Sequence, residues 1–358
     1  MGGDRAPAMV VGGLEIAAER HPDARFLLVG DAAKVAPLLD RHRRAKLACL
    51  LRHAPDVIAD DMKPTAALRA RQSSMRVAID AVAAGEVSGV VSAGNTGALL
   101  TIAKVVLKTL PGIDRPAMAA IGPSARGDMV MLDLGANVQC DVRNLVQFAI
   151  MGDVFARTVL GLTTPSIGLL NVGSEELKGD DTLRQAAELL RASHIGRQFK
   201  GFVEGHDIAA GTTDVVVTDG FTGNVALKTA EGALRLIFDL LRQVFSSTWS
   251  GRLAYLLARP GLERLREWLD PRRYNGAVMV GLNGVVVKSH GGADAETFAH
   301  AVDVAMDMVV HRFNDLIRQD LARSGLDKPV PSDKNGKEPS GARIAAPVAA
   351  PLTSDRDS

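Results

Sequence analysis

Aromatic residues make up only 4% of the 358 residues, and cysteine occurs just twice. Two cysteines allow at most one bridge, so a disulfide-stapled secreted fold is excluded and a reducing compartment is expected. Neither Cys49 nor Cys140 has the spacing of a metal site. Cys49 lies in the apolar run from 47 to 51 and reads as a core residue; Cys140 follows a glycine turn. Charge of one sign is also lacking. Lysine plus arginine number 42 against 41 aspartates and glutamates, which excludes nucleic-acid binding through bulk positive charge. No signal peptide opens the chain and no apolar run reaches transmembrane length, so a cytoplasmic protein is expected. What is plentiful is small and aliphatic: 47% hydrophobic residues with 35 glycines. That composition suits an α/β protein with helices closely packed on a sheet.

The most informative stretch runs from Asp214 to Leu234. Val215 to Thr218 reads as a buried strand, Asp219 to Asn224 as a turn, and a helix is predicted from about Val225. Gly220 and Gly223 are expected to supply positive φ and room for a ligand. The unsatisfied N–H groups of the helix start would then face the strand end and form an anion site, with Lys228 adding charge one turn on. A plain tight connection explains the same pattern.

Elsewhere strands alternate with helices. Short apolar runs at 26–29, 57–58, 87–91, 129–134, 167–172 and 199–203 read as strands. Helical patterns fall at 9–20, from the basic cluster Arg41 to Lys46 through Leu51, from Gln72 to Ala84, after Asn95 to Lys108, from Arg143 to Leu160 capped by Asp141, and from a cap at Asp181 to Arg191. Such alternation implies a doubly wound sheet, with Asn95, Asn137, Lys178, His206 and Asn224 in loops gathered at one cleft beyond the strand ends. Cap and turn chemistry also accounts for any single asparagine here.

Residues 252–270 carry one-sided leucines, interleaved arginines and a Pro260-Gly261 break. They predict a protruding helical hairpin near 245–272, packed on the core, on a second subunit, or resting on a membrane surface. Val278 to Val280 and Leu282 to Val287 read as two strands around an Asn283-Gly284 hairpin turn. Then come a loop, Lys288 to Gly292, containing His290, and one long helix from Asp294 to about Arg323. Residues 325–358 have no periodicity and read as a disordered tail after a catalytic domain over 1–324. The opening Met1-Gly2-Gly3-Asp4-Arg5-Ala6-Pro7 is a glycine turn of the kind that follows a strand, so a strand ahead of Met1 is expected.

Seven of these segments together resemble a known family: residues 1–7, Ser-Ala-Gly-Asn-Thr-Gly-Ala (92–98), Pro-Gly-Ile-Asp-Arg-Pro (111–116), Asp-Leu-Gly-Ala-Asn (133–137), Gly-Ser-Glu-Glu-Leu-Lys-Gly (173–179), Asp-Gly-Phe-Thr-Gly-Asn-Val-Ala-Leu-Lys (219–228) and Gly-Leu-Asn-Gly-Val-Val-Val-Lys-Ser-His-Gly (281–291). They look like the bacterial phosphate acyltransferase of phospholipid synthesis, and the likeness runs from Met1 to about residue 320. The resemblance implies a Rossmann-like three-layer α/β/α sandwich, related to phosphotransacetylase and isocitrate dehydrogenase. It implies transfer of a long-chain acyl group from acyl carrier protein to inorganic phosphate, giving acyl phosphate for a membrane glycerol-3-phosphate acyltransferase. It also implies a homodimer loosely attached to the inner membrane. Three departures stand out: the missing strand and Asp before the first motif, His206 in place of Arg, and Gln139 in place of an acidic residue.

That chemistry suits the residues present. Phosphate is already a nucleophile near neutral pH and a thiolate leaves readily, so position and charge stabilisation are the main needs, without cofactor or metal. Gly220, Thr222, Gly223 and Asn224, with Asn95 and Thr96, are predicted to cradle phosphate. Lys178 is predicted to neutralise charge, and Lys228 or His290 to assist the oxyanion or the leaving sulfur. Carrier protein is acidic, so Arg69, Arg71 and Arg76, or Arg264, Arg266 and Arg273, are candidate docking residues. A nicotinamide enzyme would need a Gly-x-Gly-x-x-Gly turn after a strand, which is absent. A phosphotransacetylase-like enzyme using a small acyl-CoA remains an alternative. A scaffold protein would leave the glycine loops without use.

Overall fold

A computed structural model of the chain describes residues 1–268 and 276–325. The chain begins with helix α1 (Ala8–Arg20), strand β1 (Phe26–Gly30), helices α2 (Ala32–Leu39) and α3 (Arg43–Ala48), and strand β2 (Cys49–His53). Helices α4 (Pro64–Ala67) and α5 (Ser74–Ala83) lead to β3 (Gly89–Ser92) and α6 (Thr96–Leu107). Strands β4 (Ala117–Ser124) and β5 (Gly127–Leu132) form a hairpin, followed by α7 (Val142–Val159), β6 (Ile167–Leu170) and α8 (Asp181–Ala192). Next are β7 (Phe199–Val203), α9 (Gly205–Ala210), β8 (Val215–Val217), α10 (Gly220–Ser247) and α11 (Trp249–Trp268). Strands β9 (Ala277–Val280) and β10 (Val285–Lys288) and helices α12 (Ala295–Val310) and α13 (Phe313–Ser324) complete the described chain.

Eight strands form one sheet in the order β3-β10-β9-β4-β5-β8-β6-β7, and β1 pairs with β2 in a separate parallel ribbon. The period-2 alternation of strand side chains divides the core. Ala117, Ala119, Val130, Leu132, Val215, Val217, Val278 and Val280 face α7, α8, α12 and α13. Met118, Met129, Met131, Val216 and Met279 face α5, α6 and the start of α10. The result is the expected three-layer sandwich. The ribbon packs with α1, α2 and α3 in a third apolar cluster that includes Phe298 and Val302. A cavity of about 410 Å³ lies between β1 and β3, bordered by Leu28, Met75, Val91, Phe298 and Val302, with Met1 against it.

Side-chain caps open the helices as their sequences suggest: Asp141 makes a capping box with Asn144 ahead of α7, and Asn95, Asp219 and Asp294 cap α6, α10 and α12. α8 is capped by Asp180 rather than Asp181. Several expectations are corrected. Residues 49–51 continue no helix; they form β2, pairing along β1 in register from Phe26 to Gly30. Val57 and Ile58 form no strand, and only a single bridge joins Asp56 to Ser73. β4 was not foreseen. The predicted long C-terminal helix is two, broken where Arg312 adopts a left-handed φ of 53°. Pro260 lies inside α11 instead of breaking it. α10 and α11 form the protruding hairpin as far as Trp268; its expected end at 269–272, and the tail from 326, lie outside the described residues.

The sheet is also mixed, and this has the largest effect on the site. β5, β8, β6 and β7 are parallel to one another, as are β3 and β10. Three antiparallel pairings lie between the two groups, β10 with β9, β9 with β4, and β4 with β5. An odd number of reversals makes β3 and β10 run opposite to the other group, so their carboxyl ends emerge at the opposite edge.

Candidate active site

At one edge the loops after β5, β8 and β6 lie side by side, because these strands are neighbours. The Asp133–Asn137 loop forms the floor. Asp133 is fully buried, and its carboxylate accepts from the N–H groups of Met118 (2.9 Å), Gly135 (3.2 Å), Ala136 (3.0 Å) and Asn137 (2.8 Å), and from Asn137 Nδ2 (2.8 Å). Burial pushes its pKa up while these bonds oppose the rise. All five partners are donors, an arrangement that fits the ionised carboxylate. Asn137 Nδ2 also donates to Pro116 O at 2.7 Å, so this side chain is committed to the scaffold.

α10 starts against this floor. Helical structure begins at Gly220, five residues ahead of the predicted start, and neither Gly220 nor Gly223 has positive φ. Their requirement is close approach. A Cβ on Gly220 would lie 2.6 Å from Asn137 O, and one on Gly223 only 1.9 Å from Asp133 O. The expected phosphate cradle is partly occupied by the protein itself. Gly220 N–H donates to Asn137 O (2.7 Å), Thr222 N–H to Asp219 Oδ1 (2.9 Å), Thr222 Oγ1 to Asp219 Oδ2 (2.7 Å), and Gly223 N–H to Asp219 O (2.9 Å). Asn224 is exposed beside Gly135. Lys228 is held on the helix surface by Glu231 at 2.8 Å.

The loop after β6 is closed by Asn171, whose Nδ2 donates to Lys178 O at 3.1 Å. It presents the Lys178 side chain to solvent, with no ion pair to any described residue. His206, in the helix after β7, lies 3.9 Å from carboxylate oxygens of both Glu204 and Asp207. Cys140 is close by, its Sγ 3.9 Å from Asn137 O. Burial, then Asp133 and Asp219, push this thiol up to about 12; a group held as the thiol is a poor nucleophile. Cys49 is pushed up to about 12 as well, by burial and then Glu15.

Asn95, Thr96 and His290 are at the other edge. Asn95 caps α6 by accepting from Ala98 N–H (2.9 Å), and its Nδ2 donates to Asp60 O (2.7 Å). His290 Nδ1 accepts from Gly292 N–H (3.0 Å), and Asp4 N–H donates to Gly291 O (2.9 Å). Five strand spacings separate β3 from β8, about 24 Å sideways, in addition to the length of the strands. One phosphate cannot reach both clusters, so the predicted joining of Asn95, Thr96 and His290 with Gly220–Asn224 is overturned within a protomer. Lys288 was missed altogether. It is the one buried lysine or arginine among the described residues, in a position that the apolar run Val285–Val287 had marked as strand end. Of the basic docking candidates, Arg69 and Arg71 are exposed and Arg76 pairs with Asp80 at 2.8 Å; Arg264 is exposed, while the Arg266 side chain and Arg273 lie outside the described residues.

Comparison with known proteins gives the family of the chain and the likeness of its fold. A family profile described as "Fatty acid synthesis protein" matches residues 1–316. A phosphate acyltransferase of Acidiphilium cryptum is 71% identical over 333 residues, covering 93% of this chain and 88% of the relative. One from Granulibacter bethesdensis is 71% identical over 340 residues, covering 94% and 92%. Among solved structures, a phosphotransacetylase from Streptococcus pyogenes superposes with a TM-score of 0.58 at 17% identity, covering 84% of this chain and 91% of the other. At that identity the likeness speaks for the fold alone.

Proposed function

The chain belongs to the fatty acid synthesis protein family and is an acyltransferase whose relatives are named phosphate acyltransferases; from that premise we propose that it moves a long-chain acyl group from acyl carrier protein to inorganic phosphate. The product is acyl phosphate. The observation that carries this reading is the meeting at one sheet edge of the Lys178 loop, the start of α10 with Asn224, and the floor organised by Asp133.

In this mechanism phosphate sits between the Lys178 ammonium and the first turn of α10, where the helix dipole favours negative charge. Lys178 neutralises the attacking dianion. The exposed Asn224 amide donates to the oxygen that gains charge as phosphate adds to the thioester carbonyl. The C–S bond then breaks and the thiolate leaves; no enzyme-bound acyl group is needed, in keeping with two cysteines held as thiols. Thr222 contributes by holding the Asp219 cap through its N–H and hydroxyl, while Gly220 and Gly223 act by letting the helix start lie on the floor. Asn95, Thr96, Lys228 and His290 fall outside this cradle.

The proposed donor is the acidic carrier protein, for which Arg69, Arg71 and Arg264 are candidate docking residues. The proposed assembly is a homodimer, with the exposed leucines of α10 and α11 against the partner subunit or the inner membrane surface. A membrane glycerol-3-phosphate acyltransferase would consume the product. No described helix is long and apolar enough to cross a membrane, so any membrane contact here is proposed as peripheral.

The test is to incubate the protein with hexadecanoyl carrier protein and phosphate, and to trap acyl phosphate with hydroxylamine. Hydroxamate that depends on both phosphate and protein is expected. Lys178→Ala should cut turnover about 100-fold with an unchanged melting temperature, and unchanged turnover would remove Lys178 from the mechanism.

A further inference from the structure

The polar groups above account for the reacting head of the substrate and leave its tail unplaced. Large apolar side chains are exposed on each of the three loops that flank Lys178 and Asn224. Val138 after β5 is 68% exposed, Val172 and Leu177 after β6 are 81% and 89% exposed, and Phe221 at the start of α10 is 63% exposed. Scattered exposed aliphatics are ordinary on a protein surface. These four instead sit on the loops of three adjacent strands, beside one polar site, and a patch of that kind marks an interaction surface.

The patch also has a continuation. Val225 is four residues beyond Phe221 and shares its helix face; it is half exposed. At about 100° per residue, however, Lys228 and the exposed Asp239 return to the Phe221 side of α10 and Gln243 to that of Val225, so the apolar face stops after the first turns. The apolar patch therefore ends with Val225 at the start of α10.

We propose that Val138, Val172, Leu177, Phe221 and Val225 hold the first part of the acyl chain. The inference rests on the acyl-transfer reading and adds the residues that set chain-length preference. A polar head beside an apolar patch fits an occupant that is itself a thioester or acyl phosphate joined to a long hydrocarbon. With the carbonyl beside Lys178 and Asn224, the nearest methylenes fall against Leu177 and Phe221.

The test compares wild type with a Leu177→Ser, Phe221→Ser double variant, using hexadecanoyl and butanoyl thioesters of acyl carrier protein. Both side chains are exposed, so the fold is not at risk, and circular dichroism and light scattering check it. The ratio of kcat/KM for the long chain over the short one should fall at least tenfold in the variant. A ratio equal to that of wild type overturns this inference alone. An unchanged ratio together with a loss of dimer mass would assign the patch to a second copy of the chain and also overturn it. Wild-type protein inactive toward both donors would instead remove the acyl-transfer reading on which the inference stands.

Discussion

Replacing Lys288 by methionine should change how stability depends on pH, in a direction and by an amount that the structure sets. Lys288 ends β10 opposite Ser92 of β3 and is only 9% exposed. Its ammonium donates to Ser289 O and, at 3.5 Å, to Ala93 O, which are carbonyls rather than carboxylates. Burial lowers its pKa from 10.5 to about 8, against the attraction of Asp60 and Asp4. Below pH 8 the side chain is charged in both folded and unfolded chains, so the full cost of burying charge is present there. As pH rises from 8 to 10.5 the folded protein gives up the proton while the unfolded chain keeps it, and stability is gained. The difference in pKa corresponds to about 3 kcal/mol. Methionine keeps the length of the side chain and has nothing to titrate. Urea unfolding of both proteins at steps from pH 7 to 10.5 should show the variant losing about 3 kcal/mol relative to wild type. Other titrating groups cancel in that difference. A level difference across the window would refute burial as the cause of the shift.

Three more outcomes follow from the site. Gly223→Ala would place a Cβ 1.9 Å from Asp133 O, so α10 must move from its floor; a loss of about 3 kcal/mol in urea unfolding is expected, and a variant as stable as wild type would contradict the close approach. Asp133→Asn offers one acceptor oxygen where the carboxylate offers two, and leaves a donor facing Asn137 or its neighbours; it should cost about 3 kcal/mol and speed amide exchange over residues 135–137. Cys140→Ser should retain most of the turnover, and iodoacetamide should label Cys140 slowly at neutral pH, because the thiol is pushed up to about 12; rapid labelling would reopen covalent catalysis.

Much of this architecture is written in short apolar runs. Val215–Val217 and Ile167–Leu170 are buried along their whole length, as interior parallel strands require. Asp141 and Asp219 mark helix starts because their carboxylates accept the first free N–H groups. Other elements depend on partners distant in sequence. Ala117–Ser124 has alanines, a glycine and a proline and little strand propensity, yet pairing with β5 on one side and β9 on the other makes it a strand. Cys49–His53 continues an Ala- and Leu-rich helical pattern and becomes β2 only through its ladder with β1.

The candidate site was legible residue by residue but not as an assembly. Lys178 and Asn224 lie at one edge on loops of neighbouring strands, whereas Asn95 and His290 lie at the other. The reason is the direction of β3 and β10. The Asn283-Gly284 turn was visible as a hairpin, but the β4–β5 hairpin was not, and only with both does the sheet reverse between the two groups of loops. The glycines of α10 were assigned to positive φ because a turn was expected there. Their actual cause, contact with the backbone of the Asp133–Asn137 loop, comes from a distant part of the chain and has no local trace.

The most direct test of the central claim is release of free carrier-protein thiol from hexadecanoyl carrier protein by this chain, followed with a thiol-reactive chromophore with and without inorganic phosphate. The account predicts release that rises with phosphate to saturation and is largely lost in Lys178→Ala. Folded protein that releases no thiol at any phosphate concentration, or releases it equally without phosphate, would contradict acyl transfer to phosphate.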